Sequence, residues 1–233
     1  MKFILSIFFL WFSLAATAQE TMEITYQVLP ILIEDDKEEE GVYTYFKLSI
    51  NENNSLYEYI ERIQNDQVLG KSYGFIRKTG ILQKDLKNNE FTENINIYGQ
   101  DITLQDNLPK YVWELEKETK NILDISVRKA TALLNDFTEI TAWYSLNLPA
   151  KHGPEIYSGL PGLILELEIR TDYGDILEVK RYTATEIEVK NKELKTPPLS
   201  KKGKRMSLKE YQEFHKEQDQ RFHELYNSGV DKD

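Results

Sequence analysis

The stretch from Leu163 to Arg170 constrains this chain most. Leu163, Leu165, Leu167 and Ile169 fall on one face of an extended segment, and Ile164, Glu166, Glu168 and Arg170 fall on the other. Such alternation marks an antiparallel strand with one buried and one wetter face. Directly before it stands Gly159-Leu160-Pro161-Gly162. Glycine reaches positive φ, while proline restricts φ, donates no N–H and pushes the preceding Leu160 toward extended geometry. The stretch therefore predicts a tight bend that delivers the chain into a core strand. A bend facing a ligand or partner would use the same glycines for close backbone approach. On that reading Trp143, Tyr144, Gly159, Pro161 and Gly162 are the candidate binding residues, although a bend with a purely structural task accounts for them more simply.

Other segments carry the same period. Glu23 to Pro30 reads as a first strand, and in Val42–Ile50 the side chains of Thr44, Phe46, Leu48 and Ile50 share a face. Asn51–Asn54 is a turn by composition, with Ser55–Ile60 returning as a strand; Leu56, Tyr59, Ile60 and Ile63 would also fit a helix. Ile95–Tyr98 and Ile102–Leu104 are short strands. Phe137–Ser145 is another, with Phe137, Thr141 and Trp143 opposite Ile140, Ala142 and Tyr144. Thr171–Asp175 reads as a hairpin turn into a long strand, Ile176–Lys190, in which Leu177, Val179, Ile187 and Val189 share a face. Glu34–Glu40 is an acidic run expected to form a solvated loop. Residues 61–90, polar and interrupted by Gly70, Gly74 and Gly80, suggest an irregular insert.

Met1-Lys2, an apolar run from Phe3 to Leu14 and Ala16-Thr17-Ala18 make a secretory leader, with cleavage expected after Ala18. Its apolar run is shorter than the roughly 20 residues a membrane span needs. The expected organisation is thus a leader at 1–18, an antiparallel β domain at 19–200, and a basic linker with an amphipathic helix at 201–233. The 29 basic and 39 acidic residues give a formal charge of −10, which argues against nucleic-acid partners. There is no cysteine, so disulfides, thiolate metal sites and thiol nucleophiles are excluded.

The Gly159–Ile164 sequence GLPGLI, with Trp143-Tyr144 and Gly153-Pro154 upstream, resembles the signature of the GLPGLI family of exported bacterial envelope proteins, whose activity is not established. Trp113, Leu115, Glu118-Thr119-Lys120 and Ile122, followed by Lys129-Ala130, resemble a second stretch of that family. Val127 and Arg128 stand where the family carries a cysteine, so a thiol-based role is out of reach here. The resemblance runs from about residue 24 to 205 and implies export to the periplasm or the outer membrane.

Chemistry-bearing patterns are sparse. His215, Asp219 and His223 recur every fourth residue, and successive positions drift about 40° around a helix; with His152 the only other histidine, no metal site or cofactor is expected. Glu166 and Glu168 share a strand face, as the paired carboxylates of a hydrolase could, but a solvated sheet face is the favoured explanation. Ser145 and Ser158 lack a nucleophile-elbow context. Ser207-Leu208-Lys209-Glu210 is a capping box opening a helix, with Leu208, Tyr211, Phe214, His215, Phe222, Leu225 and Tyr226 on one side. The Pro197-Pro198 pair and the helix's many charges suggest a partly detached docking tail.

The expected fold is mostly β: an antiparallel, strongly curved sheet or partly open barrel with a C-terminal α-helix. The leading functional expectation is a soluble, monomeric periplasmic module that binds an apolar ligand or a protein segment. A partner of outer-membrane machinery is the alternative, and a hydrolase-type enzyme comes third.

Overall fold

The computed structural model describes residues 20–62, 80–97, 99–198 and 203–228. The leader and much of the expected insert, including Gly70 and Gly74, lie outside them. In chain order the elements are β1 (Thr21–Glu34), β2 (Lys37–Glu40), β3 (Thr44–Asn51), β4 (Asn54–Ile60), β5 (Ile81–Asp85), β6 (Glu90–Ile97), β7 (Gln100–Asn107), β8 (Glu114–Ile122), β9 (Ile125–Asn135), β10 (Thr138–Ser145), β11 (Leu163–Asp172), β12 (Ile176–Lys190), β13 (Lys204–Met206) and α1 (Leu208–Ser228). The strands form one sheet in the order β13-β7-β6-β5-β4-β3-β1-β12-β11-β10-β9-β8, with β2 paired to the end of β1. Every pairing is antiparallel except that of β13 with β7. The end strands β13 and β8 do not meet, so the sheet is curved and open rather than a closed barrel.

Short turns make this order possible, and their residues show how. Asp35 (φ 49°) and Asp36 (φ 59°) are both left-handed, the geometry that matches a two-residue turn to the twist of its flanking strands. The acidic run Glu34–Glu40 is therefore a β-hairpin and not the loop its composition suggests, although most of it stays exposed. Asp85 closes the β5–β6 turn by accepting from the backbone N–H groups of Lys87 at 2.9 Å and Asn88 at 3.0 Å. The β11–β12 turn has Gly174 at φ 92°, with its N–H on the Asp172 carboxylate at 2.7 Å.

The inner face of the sheet carries the core. Ile24, Tyr26 and Val28 of β1 are fully buried there beside Phe46 and Leu48 of β3. Two register shifts change which side chains join them. At Trp143/Tyr144 the pairing skips Leu165, so Tyr144 lies opposite Ile164 while Trp143 lies opposite Glu166. The extra residue reverses the alternation. Ile164 then shares a face with Leu167, and Leu163, Ile164 and Leu165 are all fully buried. A second shift, at Thr25/Tyr26, leaves Thr185 unpaired in β12. Leu177 and Val179 consequently pack with Leu29, Ile31 and Ile33 in a small second cluster, whereas Ile187 packs against the main core and Val189 is exposed. These four residues of β12 do not share a face, because one inserted residue inverts a period of two.

The C-terminal segment is built into the sheet. Lys204–Met206 adds β13 beside β7, and Met206 is buried. The capping box forms: the Ser207 N–H donates to Glu210 Oε2 at 2.7 Å and the Glu210 N–H to Ser207 Oγ at 3.3 Å. Asp106 of β7 accepts the Leu208 N–H at 3.0 Å, satisfying another donor that a helix start leaves open. Leu208, Tyr211 and Phe214 pack against the core. The side chains of Phe222, Leu225 and Tyr226 lie outside the described residues. Among those described, no helix is long and apolar enough to cross a membrane.

Candidate functional site

The 17 residues between β10 and β11 fold back over the inner face of the sheet. The Leu163 N–H donates to the Leu148 carbonyl at 2.9 Å and the Ile164 N–H to the His152 carbonyl at 3.0 Å. Long-range contacts then fasten this flap. The Lys84 ammonium, on β5, donates to the carbonyls of Gly153 at 2.6 Å and Tyr157 at 3.3 Å. The Trp113 indole donates to the Ser158 carbonyl at 3.1 Å. His152 Nε2 meets the Glu52 carbonyl at 3.1 Å; a carbonyl only accepts, so Nε2 carries the proton and the buried, partnerless Nδ1 does not.

Burial marks two of these anchors. Lys84 is 2% exposed, and burial pushes its ammonium down to about 7, against the opposing charge of Glu155. His152 is fully buried, and burial, with help from the Lys84 charge, pushes its imidazole down to about 3.

Beneath the tip of the flap lies a cavity of about 300 Å³. Phe46, Tyr57, Leu82 and Phe91 of the sheet form its floor, Ile156 of the flap lies over it, and Tyr211 of α1 closes one side. Phe46 and Tyr57 stack with centroids 5.0 Å apart, and Tyr59 meets Phe46 edge-on. Three charged side chains, Glu93, Glu155 and Lys180, also line it. Glu155 sits at φ 46°, a left-handed conformation that a non-glycine residue adopts only where its surroundings hold it. Its carboxylate accepts from Lys180 Nζ at 2.7 Å and the Tyr182 hydroxyl at 2.6 Å. Burial first, and the Glu155 charge second, hold the Tyr57 phenol well above its ordinary value. The arrangement is an apolar, aromatic recess with a few polar groups converging on it, the usual make-up of a small-molecule site.

None of the five candidate binding residues lines this recess. Tyr144 is a core residue. Trp143 is on the outer face, with the Lys120 ammonium 4.2 Å from its ring centroid and the same ammonium 2.7 Å from Glu166. Gly159 (φ 91°) and Pro161 are exposed at the bend. Gly162 is buried, and a Cβ there would stand 1.9 Å from the Ser145 carbonyl oxygen. The motif thus sets the base of the flap, and the recess is built from other residues. The Glu166 and Glu168 carboxylates are held in ion pairs on the outer face. Burial acts to raise Glu168, but hydrogen bonds from Arg181 and Arg170 outweigh it and hold the carboxyl below its ordinary range. That is opposite to the shift a glycosidase proton donor requires.

Sequence reasoning overlooked Lys84, Glu93, Glu155 and Lys180. One signal was present: Glu93 stands in phase with Phe91 and Ile95 in β6, and Lys84 in phase with Leu82 in β5. A charge in the apolar phase of a strand is a local exception that marks function or a specific partner.

A family described as "Protein of unknown function (Porph_ging)" matches residues 133–166, a minority of the chain that includes the Gly159–Ile164 bend. No curated protein matches. A solved structure of PNGF-II is similar in fold over 84% of this chain and 33% of that one, with 23% identity and a TM-score of 0.55. A second crystal form of PNGF-II gives 22% identity and a TM-score of 0.52. The chain therefore spans about a third of that protein's length, and the likeness concerns the fold. An uncharacterised conserved protein from Thermus thermophilus aligns over 82% of this chain and 91% of its own at 8% identity, with a TM-score of 0.41, too distant to carry an argument.

Proposed function

We propose that this is an exported binding module of the cell envelope, of the GLPGLI kind, that holds an apolar ligand or an apolar protein segment against the inner face of its sheet. The observation that carries this reading is the recess of about 300 Å³ beneath the flap, floored by aromatic and aliphatic side chains. Its size and composition suit a small apolar group held by a few polar contacts. The flap is fastened by Lys84, the Glu52 carbonyl and Trp113 from distant parts of the chain, so the recess is formed before anything binds, which lowers the ordering cost of binding. The leader-like N-terminus and the resemblance to the GLPGLI signature support placement in the periplasm or at the outer membrane.

Native mass spectrometry of the protein purified from its own envelope tests the reading. The expected result is a retained small mass that disappears in Leu82→Trp, which fills the recess. A co-purifying polypeptide that survives in Leu82→Trp would favour the alternative, a partner of outer-membrane machinery. A bare mass, with no binding of apolar probes in solution, would refute the module.

A further inference from the structure

We propose that one end of the sheet, where three turns meet, docks a protein segment that presents lysine or arginine side chains around an apolar one. The turns join β1 to β2, β9 to β10 and β11 to β12. They come together because β1, β12, β11, β10 and β9 are consecutive neighbours in the sheet, with Glu34 opposite Ile176 and Thr138 opposite Thr171. The Asp172 N–H donates to the Phe137 carbonyl at 2.8 Å and ties two of the turns to each other. Phe137 is 67% exposed and Tyr173 is 66% exposed, and Leu133 and Leu134 at the end of β9 are exposed as well. An open groove of about 640 Å³ is lined by Phe137 and Tyr173, with Asn135 and Asp172 among its polar residues. None of these residues lines the recess. Two aromatic rings and two leucines exposed on adjacent turns form a patch of the kind that marks an interaction surface.

Charge identifies the occupant. Residues 34–37, 135–138 and 172–176 carry six exposed carboxylates, Glu34, Asp35, Asp36, Asp136, Asp172 and Asp175, and one ammonium, that of Lys37. A neutral partner closing over the patch would strip water from these carboxylates and return nothing. An acidic partner, or an anionic bilayer, would be repelled. A basic segment fits in two ways. Its ammonium or guanidinium groups pair with the carboxylates around the groove, and they are attracted to the faces of the Phe137 and Tyr173 rings. Its apolar side chain fills the groove between those rings. Such a surface draws affinity from its aromatic centre and partner choice from its charged rim. It works whether or not the recess holds a ligand.

Two matched probes decide the matter: a short amphipathic peptide of leucine and lysine, and its counterpart of leucine and glutamate. Both are titrated calorimetrically into the intact protein at physiological ionic strength. The lysine peptide is expected to bind at least about tenfold more tightly than the glutamate peptide. The double variant Phe137→Ser, Tyr173→Ser changes no charge and removes only exposed rings, so it should melt as the wild type does and weaken the lysine peptide at least about tenfold. Asp136→Lys with Asp175→Lys should bring the two affinities together. Glu213→Gln with Glu217→Gln, on the exposed side of α1, removes two charges elsewhere and should change neither affinity, and Leu82→Trp in the recess should also change neither. No binding of the lysine peptide, or binding undiminished in the Phe137/Tyr173 variant, would overturn the proposal. An equal loss in the α1 variant would reduce the effect to general charge attraction and overturn it too, and a loss in Leu82→Trp would move the peptide to the recess. Phosphatidylcholine vesicles are the last probe. Co-sedimentation with them that disappears in the Phe137/Tyr173 variant would assign the patch to a bilayer surface instead of a protein.

Discussion

The two faces of this sheet carry charge in different ways. On the outer face charges pair along and across strands: Lys47 with Glu58 at 2.9 Å, Lys120 with Glu166 at 2.7 Å, and Glu168 between Arg181 at 2.9 Å and Arg170 of its own strand at 3.1 Å. Most of these side chains keep contact with water, so each pair contributes little and its loss costs little. On the inner face Lys84 and Glu93, and above it His152 of the flap, stand among apolar neighbours and are almost or wholly buried. There each charge or ring nitrogen is costly unless a specific contact offsets it, and the contacts of Lys84 and His152 join sheet and flap across long stretches of chain. The lesson is that charge on the outer face supports solubility and register, whereas charge on the inner face is placed to hold the flap and shape the recess.

The largest expected effect is at the seam between flap and sheet. Gly162→Val should cost about 4 kcal/mol or more, because its Cβ would overlap the Ser145 carbonyl and the backbone of β10 would have to move. Chemical denaturation measures it; a cost under about 1 kcal/mol would mean the flap base is not tightly packed.

Next comes a direct contrast between the faces. Lys84→Ala leaves the Gly153 and Tyr157 carbonyls without their donor and should cost about 3 kcal/mol, while Lys47→Ala on the outer face should cost under about 1 kcal/mol. Similar values for the two would remove the energetic difference argued above.

Acid should act first through His152. Its folded value, about 3, lies below the ordinary 6.5, so the unfolded chain takes up a proton that the folded chain refuses. Its contribution is therefore fully present above pH 6.5 and is lost as pH falls toward 3. Between pH 6.5 and 5, above the range of most carboxylates, stability should fall by roughly 2 kcal/mol. His152→Gln should flatten that slope in a pH series of denaturation curves; an unchanged slope would assign the acid sensitivity elsewhere.

The smallest effect belongs to the outer face. Glu166→Gln keeps its shape and loses one half-exposed ion pair with Lys120, so the melting temperature should move by a degree or two, in keeping with less than about 0.5 kcal/mol. A loss comparable to that of Lys84→Ala would show that this outer face is covered by something in the folded protein.

The sequence alone determined β1, β3, β4, β7, β10, β11 and β12, several of their turns and the start of the helix, while β2, β5, β8, β9 and β13 lack an alternation clear enough to read locally. Alternation in β3, β10 and β11, the Asp172–Gly174 turn and the Ser207–Glu210 capping box are set by dihedral preferences and hydrogen bonds within a few residues, so they can be read locally. Tertiary structure decided which face each residue joined. The unpaired Leu165 and Thr185 invert the alternation beyond them, and a bulge depends on the partner strand as much as on its own residues. Tertiary structure also decided the recess. Lys84 meets Gly153 across 69 positions of chain and His152 meets Glu52 across 100. An inner face exists only once the flap covers it, and nothing within a few residues of Lys84 or Glu93 tells which cover will arrive.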